Sequence, residues 1–171
     1  MEEWDLFDRN RNSLGRTSPR CRELPPGEYH IVVGVWVSNS RTEILVTLRD
    51  ESKESWPGKW ENSGGCAAAG ETSEQAVVRE LFEETGIRIT EDELVYLGYN
   101  FDGSSIVDSF FIHRDVEISE LVMQPGETAA AKWVTLEELD EMAVDGTLAP
   151  PIAADVEQMR EKFCAELYRK G

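Results

Sequence analysis

Residues 65–87 of the chain read GCAAAGETSEQAVVRELFEETGI, and this stretch is the most informative part of the sequence. Its second half has the apolar periodicity of an amphipathic helix about thirteen residues long. Thr72 is a suitable N-cap with Gln75 three residues later, which matches a capping box, and Gly86 stands where a left-handed C-terminal cap is expected. Glycines before the helix leave the chain free to turn its carbonyls toward the helix. The stretch therefore predicts a loop followed by a capped helix.

The predicted helix has an acidic face and an apolar face. At about 100° per residue, three glutamates share one sector roughly 100° wide; they are Glu80, Glu83 and Glu84. The side chains expected to point to the other side are Val78, Leu81 and Phe82, with Val77 at the boundary. Carboxylates at this spacing repel one another, and the guanidinium of Arg79 does not neutralise three of them. A hard divalent cation suits such an all-oxygen cluster, and a solvated acidic face is the alternative.

The three glutamates belong to a longer frame of fixed spacing. Gly65 is followed after five residues by Glu71, and after seven more by the run from Arg79 to Ile87. This frame resembles the Nudix box at every defined position: glycine, glutamate, then arginine, glutamate, an aliphatic residue, any residue, two glutamates, any residue, glycine and an aliphatic residue. The resemblance implies an α+β fold in which a mixed β-sheet is sandwiched between helices. It also implies hydrolysis of a diphosphate linkage in a nucleoside-diphosphate-linked or related small molecule.

The resemblance also implies roles for individual residues of the box. The metal would be Mg²⁺ or Mn²⁺, and its implied ligands are the carboxylates of Glu80, Glu83 and Glu84 and the carbonyl of Gly65. Glu71 and Arg79 are expected to form structural ion pairs that hold the loop against the helix. This role also makes chemical sense, because an arginine that leaves water needs a bidentate carboxylate partner.

Substitution at phosphorus needs a general base to activate water. Within the box, Glu83 or Glu84 is a candidate for this role. Outside it, the candidate is Glu127 in the turn Gln124-Pro125-Gly126-Glu127, because many family members bring a carboxylate from that later loop. An ordinary solvated turn residue is the alternative for Glu127, since a Pro-Gly pair marks a surface turn whatever its function.

Substrate contacts are expected just before the box. Trp56 and Trp60 flank Pro57-Gly58-Lys59, so a base or a prenyl group could stack there, although core packing explains two tryptophans equally well. Arg49, Lys53 and Lys59 are the basic residues nearest this loop and could meet phosphates. A solvated surface role is the alternative for all three.

Length and charge limit the classes of function. The chain has 171 residues, 40% of them hydrophobic, and no apolar run approaching about 18 residues, which predicts a single soluble domain over 1–171 with no membrane contact. The net charge of -17 argues against long nucleic acids as partners and is compatible with a small diphosphate that arrives with its metal. No signal peptide is visible at the N-terminus, and the three cysteines, Cys21, Cys66 and Cys164, form no disulfide framework, so a cytoplasmic location is expected.

The remaining elements follow from local patterns. Residues 1–27 predict an N-terminal hairpin, over 2–18, and a connector, and residues 150–171 predict a C-terminal helix. Strands are predicted over 31–37, 43–48, 94–99, 106–113 and 130–134, and a capped helix over 136–142. The edge from Trp4 to Phe7 could pair between subunits, which leaves a homodimer possible.

A closer resemblance covers residues 1 to about 140. The phrases EWDLFD at 3–8, GEYH at 27–30, WPGKW at 56–60 and NSGG at 62–65 look like bacterial Nudix proteins of the isopentenyl-diphosphate isomerase-like branch. Isomerases carry a cysteine just before the box glycine, a histidine just after it and further metal-binding histidines upstream. Here Gly64 and Cys66 flank the box glycine, and only His30 aligns with an upstream ligand, while Glu23 stands where a second histidine is expected. The isomerase machinery is therefore largely missing, while the hydrolase box is complete.

Isopentenyl-diphosphate isomerase nevertheless remains an alternative activity, since a register change of one residue would bring Cys66 into the cysteine role. A further alternative is a non-catalytic Nudix module that senses a nucleotide or a metabolite. The intact cluster of Glu80, Glu83 and Glu84 counts against such a module, because a sensor has no need to retain costly like charges.

Overall fold

The structure, a computed structural model, describes residues 2–20 and 22–169. Its strands are β1 (Glu3–Phe7), β2 (Ser13–Pro19), β3 (His30–Ser38), β4 (Ile44–Arg49), β5 (Trp60–Glu61), β6 (Ser63–Cys66), β7 (Val95–Asp102), β8 (Ser105–His113) and β9 (Thr128–Val134). Its α-helices are α1 (Ser73–Thr85), α2 (Leu136–Asp145), α3 (Pro150–Gln158) and α4 (Arg160–Leu167), and short 3₁₀ turns lie at Glu91–Glu93 and Ile118–Glu120. No helix among these residues has both the length and the apolar composition needed to span a membrane.

A mixed sheet forms the centre of the fold. Strands lie in the order β5-β4-β3-β8-β7, with β6 also paired to β3 and β9 to β4. The β3–β8 pair is parallel, and the other pairs of this sheet are antiparallel. Because side chains alternate along a strand, Val33, Val35 and Val37 of β3 pack toward α1, while Trp36 packs toward α2, α3 and α4. The sheet therefore has a buried core on each face, which confirms the predicted α+β sandwich.

Helix α1 begins and ends where the sequence predicts. Thr72 and Gln75 form the capping box, and Gly86 takes the left-handed C-cap conformation at φ 76°. The predicted apolar face needs correction, because Phe82 is exposed and its ring lies under the Arg88 guanidinium, 4.3 Å from the ring centroid. The buried stripe instead contains Val77 and Leu81 and continues one turn later to Glu84. A carboxylate thus occupies a core position of this helix.

The predicted single C-terminal helix is wrong, since α3 and α4 are separated at Met159, whose φ and ψ are -97° and 7°. Each half is anchored separately: α3 buries Asp155, and α4 buries Phe163. Met159 lies against β7 at Gly98, where an added Cβ would come within 2.9 Å of its sulfur. The break between the two helices therefore lies beside β7. Residues 170–171 of the predicted helix lie outside the described residues.

The N-terminal hairpin forms as predicted, as a separate two-stranded sheet of β1 and β2. Trp4 stacks on His30 with ring centroids 3.8 Å apart, which anchors β1 to the start of β3. The Ala69 backbone N–H donates to the Glu3 carbonyl at 2.8 Å, so this chain's own loop meets the β1 edge that was considered for pairing between subunits. Cys66 and Cys164 are free thiols, and Cys21 lies outside the described residues.

Candidate active site

A cleft of about 870 Å³ opens between the acidic face of α1, strand β6 and two loops, one following β4 and one preceding β9. The acidic side chains proposed from the sequence line this cleft together: Glu71, Glu80, Glu83, Glu84 and Glu127. They come from three separate segments of the chain. The fold therefore gathers the box carboxylates and the later loop around one space.

Glu84 is the most unusual of these residues. Its exposed fraction is 8%, and Gly64 donates its backbone N–H to one carboxylate oxygen at 3.2 Å. No ion pair of Glu84 with a cation occurs among the described residues. Burial raises the pKa of Glu84 well above its ordinary value, and the nearby charges of Glu61 and Glu80 raise it further. A buried carboxylate is costly unless a cation or strong hydrogen bonds compensate it.

Two glycines of β6 allow a close approach to its neighbours, Gly65 to the acidic face of α1 and Gly64 to strand β3. An added Cβ at Gly65 would collide with the carboxylate of Glu80, and one at Gly64 would collide with the carbonyl oxygen of Val33. Glu80 is largely buried here, and this burial raises its pKa, although Arg79 acts in the opposite direction. The backbone at Gly65 and the side chain of Glu80 are thus held in direct proximity.

Arg79 connects the loop, the helix and the strand. Its Nε and Nη2 donate to the two carboxylate oxygens of Glu71 at 2.7 and 2.8 Å. Its Nη1 donates to Glu80 at 2.8 Å and to Glu83 at 3.3 Å, and Nη2 also reaches the Cys66 carbonyl at 3.1 Å. These contacts, with Glu71 as the largest cause, raise the pKa of Arg79, and the same pair lowers the pKa of Glu71. The guanidinium is therefore fully engaged by protein groups.

The side chains of the cleft have the chemistry that suits a hard divalent cation, although the carboxylates are not gathered around one point. No group of three or more His, Cys, Asp or Glu side chains stands in metal-binding geometry within residues 2–20 and 22–169. Two of the box carboxylates, Glu80 and Glu83, instead form ion pairs with Arg79. Glu84 is buried without a cation, and the carboxylate of Glu80 lies directly against Gly65. Carboxylate oxygens of this kind are the donors that Mg²⁺ and Mn²⁺ prefer.

Glu127 lies on the rim of the same cleft. Its carboxylate forms an ion pair with the ammonium of Lys53, and its backbone carbonyl accepts a hydrogen bond from the Asp50 N–H at 2.9 Å. The loop after β4 and the loop before β9 are therefore tied together at this point. Glu127 reaches the space shared with the box carboxylates, as a general base must.

The residues predicted to bind substrate lie in different places in the structure, some in the cleft and some outside it. Arg49 lines the cleft and holds both oxygens of Glu61 through Nη1 at 2.9 and 2.8 Å. Lys59 instead donates to the Gly146 carbonyl at 2.6 Å, away from the cleft. Trp60 packs against the core on the α2 side, and the exposed Trp56 lies outside the cleft lining.

A second cavity of about 350 Å³ adjoins the first, and sequence reasoning missed most of its lining. The two cavities share a wall of Arg49, Ser55 and residues 64–66. The side chain of Asn62, 4% exposed, lines the second cavity, and no hydrogen bond of its amide is found within the described part of the chain.

Asp155 supplies a second buried polar group to this cavity. Its carboxylate accepts hydrogen bonds from Ser109 at 2.8 Å and from Asn100 at 2.6 Å. Burial raises the pKa of Asp155, against the effect of these hydrogen bonds. Strands and a helix distant in sequence bring these residues together, so no local motif identifies them.

Comparison with known proteins identifies the family. A family model described as NUDIX domain matches residues 28–155. The chain belongs to the Nudix hydrolase family. It is 40% identical over 152 residues to the uncharacterized Nudix hydrolase lmo0368 of Listeria monocytogenes, across 88% of this chain and 89% of that protein. The crystal structure of DR0079 from Deinococcus radiodurans has the same fold, with a TM-score of 0.75 and 24% identity over 98% of this chain and 100% of that chain.

The Nudix assignment made from the box is thus confirmed. The assignment to the isopentenyl-diphosphate isomerase-like branch has only partial support. An isopentenyl-diphosphate Delta-isomerase of Escherichia coli is 37% identical over 113 residues, which covers 63% of this chain and 62% of that protein. In the structure, His30 is buried against Trp4, and burial lowers its pKa to about 4. Its Nε2 lies 3.0 Å from Ser105 Oγ, and His30 is absent from the lining of both cavities.

Proposed function

We propose that this Nudix hydrolase cleaves a diphosphate linkage in a nucleoside-diphosphate-linked or related small molecule, and that it depends on a divalent metal ion. The observation that carries the proposal is the buried carboxylate of Glu84, which has no cationic partner among the described residues and faces the cleft. Such a carboxylate is best explained by a cation that arrives with the substrate. The other acidic residues of the cleft supply further carboxylate oxygens for such a cation.

The metal would be Mg²⁺ or Mn²⁺, held by the carboxylates of Glu80, Glu83 and Glu84 and by the Gly65 carbonyl. When bound, such an ion neutralises phosphate oxygens and lowers the pKa of a bound water. The ion pair of Arg79 with Glu71 holds the loop against the helix, so that these oxygen donors stay close together. Glu83 is exposed and held by Arg79 at 3.3 Å, so it is free to turn toward the cleft at little cost.

A carboxylate of this cleft accepts the proton of the attacking water. Glu83 and Glu84 are candidates within the box, and Glu127 is the candidate outside it. Glu127 is supported by its place on the cleft rim, where its carboxylate pairs with the ammonium of Lys53 and shares the space of the box carboxylates. Substitution of Glu127 by glutamine, with metal binding measured in parallel, distinguishes it from the two box residues.

The second cavity is proposed to hold the organic half of the substrate, with Arg49 at the boundary between the two halves. Asn62 offers an amide there that has no hydrogen bond to another described residue, and Asp155 offers a buried acceptor. Buried polar groups favour a ligand that completes their hydrogen bonds and disfavour one that leaves them unpaired. A nucleobase meets that requirement, and a purely hydrocarbon prenyl chain does not.

A hydrolysis screen tests the proposal. Purified protein would be incubated with nucleotide sugars, dinucleotides, coenzyme A and prenyl diphosphates, with and without magnesium or manganese chloride, and products separated by anion-exchange chromatography. Cleavage of at least one nucleoside-diphosphate-linked compound, abolished by EDTA, is expected. Absence of cleavage across the panel in the presence of either metal would contradict it.

The isomerase alternative has one supporting observation beyond the partial similarity: Cys66 lines both cavities next to Gly65. Its thiol is half-buried, and burial raises its pKa. Against this alternative, His30 lies outside both cavities, and Gly64 leaves the isomerase cysteine position without a thiol. Interconversion of isopentenyl and dimethylallyl diphosphate, with the nucleotide-linked panel left intact, would favour the isomerase.

A further inference from the structure

The N-terminal hairpin lies outside residues 28–155, which the family model matches, yet it is fixed to the active-site loop. The Ala69 N–H donates to the Glu3 carbonyl at 2.8 Å, and the Gly70 N–H donates to the Asp5 carboxylate at 2.7 Å. Both donors belong to the segment between Gly65 and α1. The hairpin and the loop therefore occupy fixed positions relative to one another.

Three further contacts fix the rest of the hairpin. Trp4 stacks on His30, and Phe7 exchanges two backbone hydrogen bonds with Tyr29 at 2.8 and 2.9 Å. In the hairpin turn, Arg11 holds the buried Asp108 of β8 through two parallel hydrogen bonds of 2.6 and 2.7 Å. These attachments at both ends and in the middle define where the open end of the hairpin lies.

The open end of the hairpin reaches the catalytic cleft. Glu2 and Arg20 face each other there: the Arg20 N–H donates to the Glu2 carbonyl at 3.0 Å, and Arg20 Nη1 lies 2.5 Å from the Glu2 carboxylate. Both side chains line the cleft, which Glu80 and Cys66 also line. An arginine from outside the matched family region thus enters the space where the diphosphate is proposed to bind.

The other two arginines of the cleft are less available for substrate. Arg79 is held by Glu71, Glu80 and the Cys66 carbonyl, and Arg49 is held by Glu61 in a pair whose side chains are each only 16% exposed. The Arg20–Glu2 pair has exposed fractions of 53% and 36%. Exposed pairs of this kind contribute little free energy, so Arg20 can exchange Glu2 for a phosphate at small cost. Arginine also binds phosphate oxygens in a bidentate manner.

We infer that Arg20 is a phosphate-binding residue of the active site, which Glu2 holds in place until substrate arrives. The inference rests on the proposed function, because the ligand is the diphosphate of the substrate. On binding, the guanidinium leaves the Glu2 carboxylate and donates to oxygens of that diphosphate. The hairpin is then part of the substrate site, although it lies outside the family model.

Binding of methylenediphosphonate, whose P–C–P bridge resists hydrolysis, tests Arg20 directly by calorimetry in magnesium chloride. Arg20→Gln is expected to weaken binding about ten- to hundredfold, the loss typical of a charge-assisted hydrogen bond. Glu2→Gln is expected to tighten it up to about fivefold, because a weak competing ion pair is removed. In turnover of a substrate found by the screen, Arg20→Gln would raise KM much more than it lowers kcat.

Arg16→Gln is the matched control. Arg16 belongs to the same hairpin, is 54% exposed and pairs with Glu28 outside the cleft, so the substitution removes the same charge and a comparable ion pair. Its affinity should stay within about twofold of the unmodified chain. Should Arg20→Gln fail to fold, Arg20→Lys keeps the charge and is expected to bind with intermediate affinity.

Three results would overturn the inference. Arg20→Gln could bind like Arg16→Gln, or Glu2→Gln could weaken binding as much as Arg20→Gln, which would indicate a purely structural pair. Either result with intact hydrolysis by the unmodified chain leaves the proposed function standing. Lack of methylenediphosphonate binding by the unmodified chain, together with no cleavage in the screen, would reject both proposals.

Discussion

Arg79 donates two parallel hydrogen bonds to Glu71, from Nε to Oε1 at 2.7 Å and from Nη2 to Oε2 at 2.8 Å. This pair joins the loop after β6 to the middle of α1, across eight positions of sequence. The planar guanidinium matches the two carboxylate oxygens, and its remaining donors reach Glu80 and the Cys66 carbonyl. A single side chain thus sets the distance between the loop and the acidic face.

Replacing Arg79 by lysine should therefore destabilise the protein although the charge is retained. An ammonium cannot reproduce the fork, so we expect a loss of about 2 kcal/mol in the free energy of unfolding, typical of charged hydrogen bonds. Urea unfolding followed by far-UV circular dichroism measures it. A double-mutant cycle with Glu71→Gln should show a coupling energy between the two positions, and additive effects would contradict the role of this pair.

Glu84→Gln should separate stability from function. Because burial raises the pKa of Glu84, the neutral amide relieves a buried charge, and the metal-free variant should melt at or above the temperature of the unmodified chain. Manganese chloride should raise the melting temperature of the unmodified chain and have little effect on the variant, whose turnover should fall by about a hundredfold or more. Glu74→Gln, in the first turn of α1 and outside the cleft, is the control. Equal metal stabilisation in both variants would refute a metal site at Glu84.

Glu127→Gln tests the general base. If Glu127 accepts the proton from water, kcat should fall by about 10²- to 10⁴-fold, while manganese should still raise the melting temperature as in the unmodified chain. Steady-state kinetics and differential scanning fluorimetry measure the two quantities. Glu137→Gln, an exposed position on α2, serves as the matched control. A kcat close to that of the control would transfer the role to Glu83 or Glu84.

Asn62→Leu should lower activity with little change in stability. The side chain of Asn62 lines the second cavity and has no hydrogen bond to another described residue, so an apolar side chain of similar size should change the free energy of unfolding little. If a nucleobase completes these hydrogen bonds, kcat/KM for nucleotide-linked substrates should fall about tenfold or more. Hydrolysis of a prenyl diphosphate, where detectable, should not fall. A parallel loss for both substrates would indicate damage to the site rather than altered recognition.

How much the sequence could predict depends on whether a feature is local. The capping box of Thr72 and Gln75, the Gly86 cap and the apolar strand over 31–37 are each encoded within a few neighbouring residues, and all agree with the structure. The prediction that Phe82 lies on the apolar face of α1 was wrong, because helical periodicity does not tell which side of the helix the sheet covers. The break between α3 and α4 lies at Met159, which packs against Gly98 about sixty positions earlier, and no local pattern marks it.

The same distinction between local and distant contacts applies to the residues of the candidate site. The box residues were placed by their spacing, which one helix and one loop preserve in space. Asn62, Asp155 and Arg20 meet the two cavities only because β6, α3 and the hairpin are brought together by tertiary packing. Lys59 shows the converse, since its position beside the loop suggested a phosphate contact, whereas its side chain turns to the Gly146 carbonyl.

His30 predicts a pH dependence of stability. Its pKa is lowered to about 4, chiefly because it is buried, so below its ordinary pKa of 6.5 the unfolded chain binds a proton that the folded chain does not. Stability from this residue is therefore present above pH 6.5 and declines as the pH falls toward 4, by a total on the order of 3 kcal/mol. His30→Phe keeps a ring against Trp4 and should remove this part of the decline. Urea unfolding of both proteins at pH 7.5 and pH 5 measures it, since the carboxylates common to both cancel in the difference. Parallel pH profiles for the two would show that His30 is protonated as readily in the folded state as in the unfolded chain.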